Sequence, residues 1–132
     1  MLNFGKPKFK GVDKKYIRDD AHIQDYNSSE PIGRVRLGKL CMYYQDLGVK
    51  YYVPYDYIDR AFTRVSECAP DDSPAYYYYR LILVHGEKEF ANLIFNEESD
   101  VDRIQKELKE INPDIALGYV PPADGKRIRR FS

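Results

Sequence analysis

Residues Tyr76 to Ile111 leave this chain little choice of fold. Four tyrosines, Tyr76 to Tyr79, run into Arg80-Leu81-Ile82-Leu83-Val84, then a turn at His85-Gly86-Glu87-Lys88, then Glu89-Phe90-Ala91-Asn92-Leu93-Ile94-Phe95. Aromatic and branched side chains suit a pleated, half-buried surface, and Pro74 and Gly86 bound the first run. Alternation sets Tyr77, Tyr79, Leu81 and Leu83 on one face and Tyr76, Tyr78, Arg80, Ile82 and Val84 on the other. The first set reads as the core face, because a buried Arg80 would need a partner. By the same polarity test Ala91, Leu93 and Phe95 point inward, and Phe90, Asn92 and Ile94 outward. A helix follows. Asn96, or Ser99 with Asp102 three residues on, starts it, with Glu97, Glu98 and Asp100 at its positive end. Val101, Ile104, Leu108 and Ile111 make one apolar stripe, and Asn112-Pro113 stops it. Strand, hairpin, strand and covering helix are therefore expected, with the helix at about 97–111.

The remaining residues extend the sheet toward the N-terminus. At 132 residues the chain is long enough for one domain with its own core. Residues 1–31 read as a loose basic arm and a lead-in, with a short irregular or helical piece over Tyr16 to Tyr26. Ile32 to Gln45 alternates as strand, with a bend at Gly38. Asp46-Leu47-Gly48 turns the chain back into Val49-Lys50-Tyr51-Tyr52-Val53, and Pro54 ends that strand. Arg60 to Cys68 is a further strand, followed by the polar loop Ala69 to Pro74. The sheet domain is expected over 32–115, and 116–132 reads as a Pro/Gly segment and then a basic tail. The fold class is mostly β, an antiparallel meander with one C-terminal helix.

The formal net charge of zero conceals an asymmetry. Residues 1–18 carry six Lys/Arg against Asp13, and Lys126, Arg127, Arg129 and Arg130 stand without an acid at the other end. Residues 19–125 then hold 11 basic and 20 acidic side chains, a balance of minus nine. An acidic body disfavours nucleic acid and anionic membranes as partners, and leaves only the ends positive. Cys41 and Cys68 are too few for a disulfide scaffold, and Met1 to Lys6 has no export-signal character. Reduced thiols in a cytoplasmic protein are the expectation.

The segment Gly48-Val49-Lys50-Tyr51-Tyr52-Val53-Pro54-Tyr55-Asp56-Tyr57-Ile58, placed between two strands and ahead of a hairpin and closing helix, resembles the bacterial pleckstrin-homology-like (PH-like) domains, a family of unknown function. In those, Pro-Tyr-x-x-Ile (here Pro54, Tyr55 and Ile58) links two strands. The resemblance covers roughly residues 32–115. It implies a bent antiparallel sheet or partly open barrel capped by the helix, and a binding rather than a catalytic role. Two features depart from the pleckstrin-homology domains proper. This chain has no tryptophan for the final helix. Its Arg34, Arg36 and Lys39 reproduce only part of the basic spacing that binds phosphoinositides.

No motif assembles a nucleophile, a base and an oxyanion donor, so no enzyme is expected. His22 lies near Asp19, Asp20 and Asp25, but without metal-ligand spacing; no metal or cofactor is expected. His85 belongs to a turn, Cys41 and Cys68 to strands, and Asp56 and Asp59 to capping or turn roles. The tyrosines are the stronger signal. Consecutive pairs on strands face both ways, which should leave half of the rings outside. Such rings stack bases, anchor a protein interface, or pack on their cross-strand neighbours. Given the acidic body, Tyr51, Tyr52, Tyr76 and Tyr78 are the candidates for binding a protein partner, including a second copy in a homodimer. Arg34, Arg36 and Lys39 are the anion-binding candidates should the partner be a membrane surface.

Overall fold

The computed structural model describes residues 8–118; the basic stretch Lys126 to Arg130 lies outside them. The described chain is mostly β, with a helix near each end. The sequence reads as one bent meander, yet the strands form two sheets, and the chain divides into two compact units between Tyr57 and Ile58. Neither strand order returns to its start, so the described residues contain no closed barrel. Each sheet also includes one parallel pair, which the meander did not anticipate.

The first unit strings together β1 (Phe9–Lys10), β2 (Tyr16–Ile17), α1 (Asp20–Ser28), β3 (Pro31–Ile32), β4 (Val35–Leu37), β5 (Met42–Asp46) and β6 (Val49–Val53), then a 3-10 turn at Tyr55–Tyr57. Their spatial order is β2-β1-β6-β5-β4-β3. The β5–β6 hairpin is its longest pairing, closed by a two-residue loop at Leu47 and Gly48. Both loop residues have positive φ, 51° and 80°, as the turn that matches strand twist demands. Phe9, expected in a loose arm, is fully buried: β1 runs parallel to β6, and the Phe9 ring lies 5.1 Å from Tyr43 and 5.3 Å from Tyr26. One apolar residue flanked by lysines has no periodicity, so sequence patterning does not reveal it.

The second unit is built from longer pieces: β7 (Arg60–Cys68), β8 (Tyr76–His85), β9 (Lys88–Phe95), α2 (Glu98–Ile111) and β10 (Ala116–Leu117), with spatial order β10-β7-β8-β9. Gly86, with φ 63°, opens the two-residue β8–β9 loop, and its N–H donates to Asp59 at 2.5 Å. Leu81, Leu83, Ala91, Leu93 and Phe95 are buried on the expected face, together with Val101, Ile104 and Leu108 of α2. Four expectations need correction. Ile111 is 44% exposed, because it is the last helical residue and the chain turns away at Asn112. Ile82, assigned outward, is fully buried beside Phe62 on β7, which makes the lower half of this sheet apolar on both faces. Tyr77, assigned inward, is 53% exposed, since β9 ends opposite Tyr79 and leaves Tyr76, Tyr77 and Tyr78 on a two-stranded ribbon with β7. Finally, Glu97 is the helix N-cap, without a side-chain cap bond, so neither Asn96 nor Ser99 caps α2.

Candidate interaction surface

The tyrosines of the two units have different fates. In the first unit Tyr43 and Tyr44 are buried, and Tyr51 and Tyr52 are half-buried. Alternation does point the two pairs to opposite faces, but both faces are occupied. Tyr51 stacks on Tyr44 with ring centres 4.9 Å apart. Tyr52 packs against the cluster of Phe9, Cys41 and Tyr43, with its ring 5.6 Å from His22. Of the four rings singled out as partner-binding, these two thus have contacts inside their own unit.

The three anion-binding candidates are also partly engaged. Arg36 Nη1 donates to the carbonyls of Tyr26 at 3.1 Å and Ser29 at 2.7 Å, and its guanidinium lies 4.5 Å from the Tyr26 ring centre. It fastens the carbonyl end of α1, where a cation is favoured. Arg34 faces Asp46 at 3.5 Å. Lys39 is exposed, but its backbone N–H donates to the Asp25 carboxylate at 2.7 Å. Asp25 also accepts from the N–H of Leu40 at 3.0 Å and the hydroxyl of Tyr43 at 2.8 Å. Partial burial works against the charged form of Asp25. The Leu40 N–H, the Tyr43 hydroxyl and the Lys39 N–H outweigh it and hold the carboxyl below its ordinary value. The loop after β4 therefore already holds an anion, supplied by α1.

The same cluster fixes the state of Cys41. Burial pushes its thiol up to about 11, and burial likewise drives the Tyr43 hydroxyl well above the ordinary phenol range. A thiol that stays protonated and is 2% exposed is a packing group. His22 bonds through Nδ1 to Asp19 at 2.8 Å, while Asp19, as the N-cap of α1, also accepts the His22 backbone N–H at 2.8 Å. That pair caps a helix start. In the second unit, Asp59 serves the β8–β9 turn as described, and an open groove of about 370 Å³ along α2 sets Asp102 and Glu110 beside Lys106 and Lys109.

The outer face of the second sheet is different. Arg64 on β7 stands directly opposite Arg80 on β8, an arrangement that repels unless each charge is answered. Arg64 turns over the Phe62 ring and meets Glu89 with two bonds, at 2.7 and 3.3 Å. The irregularity of β9 makes that possible. Leu83 faces Ala91 while Val84 faces Glu89, so Phe90 is the extra residue and Glu89 shifts onto the outer face. Arg80 has neutral partners instead: Ser66 Oγ at 3.1 Å, Asn92 Oδ1 at 3.1 Å and the Tyr78 ring at 5.3 Å. Beyond it, Tyr76 is 54% exposed and sits opposite Cys68 at the end of the ribbon. Tyr78 is half-buried, and Ile94 is exposed next to Arg80 on β9.

No family model, curated protein or solved structure matches the chain. The surface must therefore be interpreted from its own chemistry. It presents aromatic rings, a positive charge with neutral partners and a strand edge that no described residue pairs with. Sequence reasoning singled out Tyr76 and Tyr78 but overlooked Arg80, Ile94 and Asn92. The cross-strand neighbours that make those three a group follow from register, for which the sequence carries only the turn at Gly86.

Proposed function

We propose that this chain is a non-catalytic, PH-like binding module that acts by protein–protein contact, including contact with a second copy of itself. The observation that carries this reading is the β7–β8 ribbon. It holds Tyr76 more than half exposed on the face that carries Tyr78 and an Arg80 whose partners are neutral, and Tyr77 more than half exposed on the opposite face of the ribbon. Exposed tyrosine with arginine is the composition of interface anchors, because large rings bury much area with few rotatable bonds. Hairpins followed by a closing helix support the PH-like assignment, as does the Pro54-Tyr55 segment: Tyr55 is buried and its hydroxyl donates to the Gly38 carbonyl at 2.6 Å.

A paired capture experiment tests the proposal. Wild-type protein and a Tyr76→Ser/Tyr77→Ser variant are used to retain proteins from the native cell, and both are sedimented with anionic liposomes over a range of ionic strength. Protein partners held by the wild type and lost by the variant support the reading. Liposome binding that weakens with salt and is indifferent to the tyrosines would replace it with a peripheral lipid-binding role.

A further inference from the structure

β9 is an edge. β8 fills one of its sides, and no described residue pairs with the other. The other terminal strands of the two sheets, β2, β3 and β10, are two residues long, whereas β9 runs for eight. Unpaired edges of that length invite another strand, and proteins guard them with proline, inward charge or bulges. β9 carries one such device, the irregularity at Glu89 and Phe90, and it protects only the beginning of the strand. From Ala91 to Phe95 there is no proline and no charge. Along this part the side chains alternate cleanly, with Ala91, Leu93 and Phe95 buried and Asn92 and Ile94 exposed.

We propose that β9 pairs antiparallel with β9 of a second copy, about a two-fold axis at Asn92. This rests on the self-association reading above and identifies the contact. A two-fold axis through adjacent antiparallel strands stands perpendicular to the sheet and keeps each face on its own side. Only registers centred on a residue are then allowed, since a half-step would put a buried-face position opposite an exposed-face one. Side-chain chemistry selects among the few that remain. Centred on Asn92, Phe90 lies opposite the partner's Ile94, Ala91 opposite the partner's Leu93, and Asn92 opposite the partner's Asn92, where two amides can exchange hydrogen bonds. Centred on Ala91, the strand would set Phe90 against the partner's Asn92. Centred on Leu93, it would set Ile94 against the partner's Asn92. Centred on Ile94, apolar residues would meet, but only three strand residues would be paired. The register at Asn92 alone matches apolar with apolar and amide with amide over five residues. It joins the two four-stranded sheets into one of eight strands, with both copies of α2 on the same side.

Cysteine placement reads the register directly. Opposed residues in an antiparallel pair have Cα atoms about 4.5 to 5.5 Å apart, within the span a disulfide accepts. In a Cys68→Ser background, which leaves only the buried Cys41, oxidised Asn92→Cys should form a disulfide-linked dimer. Ile94→Cys should not, because equal positions there are offset by four residues, about 13 Å. Ile94→Lys, an exposed change that should leave the circular dichroism intact, should weaken the uncrosslinked dimer by about tenfold or more, because symmetry removes two apolar pairs at once. A wild-type protein that stays monomeric in sedimentation across the micromolar range overturns the inference and leaves the reading of contact with a different protein. A dimer that survives Ile94→Lys and fails to cross-link at Asn92 also overturns it, while self-association through another surface stands.

Discussion

The two helices of this protein are held by different physics, and the contrast extends to the units around them. α2 buries Val101, Ile104 and Leu108 completely against its sheet, at helical spacing and with polar residues between. α1 has no buried residue at all. Ile23 and Tyr26 pack half-buried against Phe9, Cys41 and Tyr43, and polar groups complete the fastening: Asp19 caps the start, Arg36 takes the carbonyls near the end, and Asp25 reaches two backbone N–H groups and the Tyr43 hydroxyl. A helix held by apolar burial leaves its polar surface unconstrained. A helix with only half-buried apolar contacts leans also on hydrogen bonds, and those need each donor and acceptor in place. The tyrosines divide in a similar way: Tyr16 apart, those of the first unit are buried or half-buried, while the second leaves Tyr76 and Tyr77 more than half in water.

Leu108→Ala should show the largest effect. It removes a fully buried side chain from the α2 stripe, and core truncations of this kind cost about 2–5 kcal/mol. Denaturant unfolding followed by circular dichroism measures it. A change within about 0.5 kcal/mol, as at surface positions, would mean that α2 is not fastened by this face. Two units also make two transitions a real outcome. If the variant moves one transition and leaves the other, the units unfold separately; if it moves a single transition, they share their stability.

Asp25→Asn probes the other fastening. Both carboxylate oxygens accept here, whereas the amide keeps one acceptor and turns an NH2 toward the donors at the other, and the charge is lost as well, so a cost of about 1–3 kcal/mol is expected. The pH dependence has a definite sign. The folded pKa of Asp25 lies below the ordinary 3.8, so the unfolded chain takes up its proton first as pH falls. Its contribution is fully present above the unfolded value and is lost as pH drops through the folded one. Wild-type stability should therefore fall below about pH 4 more steeply than that of Asp25→Asn. Equal slopes would show that the carboxylate clamp contributes nothing as a charge. Gly38 belongs to the same device, since a methyl group there would collide with the Asp25 carboxylate.

These two fastenings also explain what the sequence made legible. The β8–β9 hairpin and α2 are long elements whose pattern is repeated several times, and a repeated pattern survives one misplaced residue such as Ile111. The first unit has no such repetition. β1, β2 and β3 are two residues long, and α1, whose sequence reads only as a short irregular or helical piece, has no apolar stripe. The bond from Asp25 to Leu40 spans fifteen positions and depends on a bend at Gly38, so no local rule predicts it. Periodicity reports what a face does; it does not report a strap such as Arg64 to Glu89, which exists because β9 is irregular by one residue. The candidate surface was accordingly half visible. Its tyrosines stood out by composition, while its arginine, amide and open edge emerged only with the strand order.

Leu47 offers the smallest and sharpest test. It is 95% exposed and adopts φ 51°, in a two-residue hairpin loop whose positions favour glycine, asparagine or aspartate. A left-handed conformation costs a side chain with a β-carbon roughly 1–2 kcal/mol, less for asparagine, whose short amide bonds locally. Nothing offsets that cost in packing, because the Leu47 side chain is almost wholly in solvent. Leu47→Asn should therefore stabilise the hairpin by about 0.5–1 kcal/mol. The measurement is the same unfolding curve, and its direction separates two accounts. If the unit is limited by its β5–β6 hairpin, the midpoint rises. If it is limited by the Asp25 clamp on α1, the midpoint stays while hydrogen exchange slows only at the amides of β5 and β6. A fall in stability would show that the Leu47 side chain has a contact in solution that outweighs the strain of its backbone.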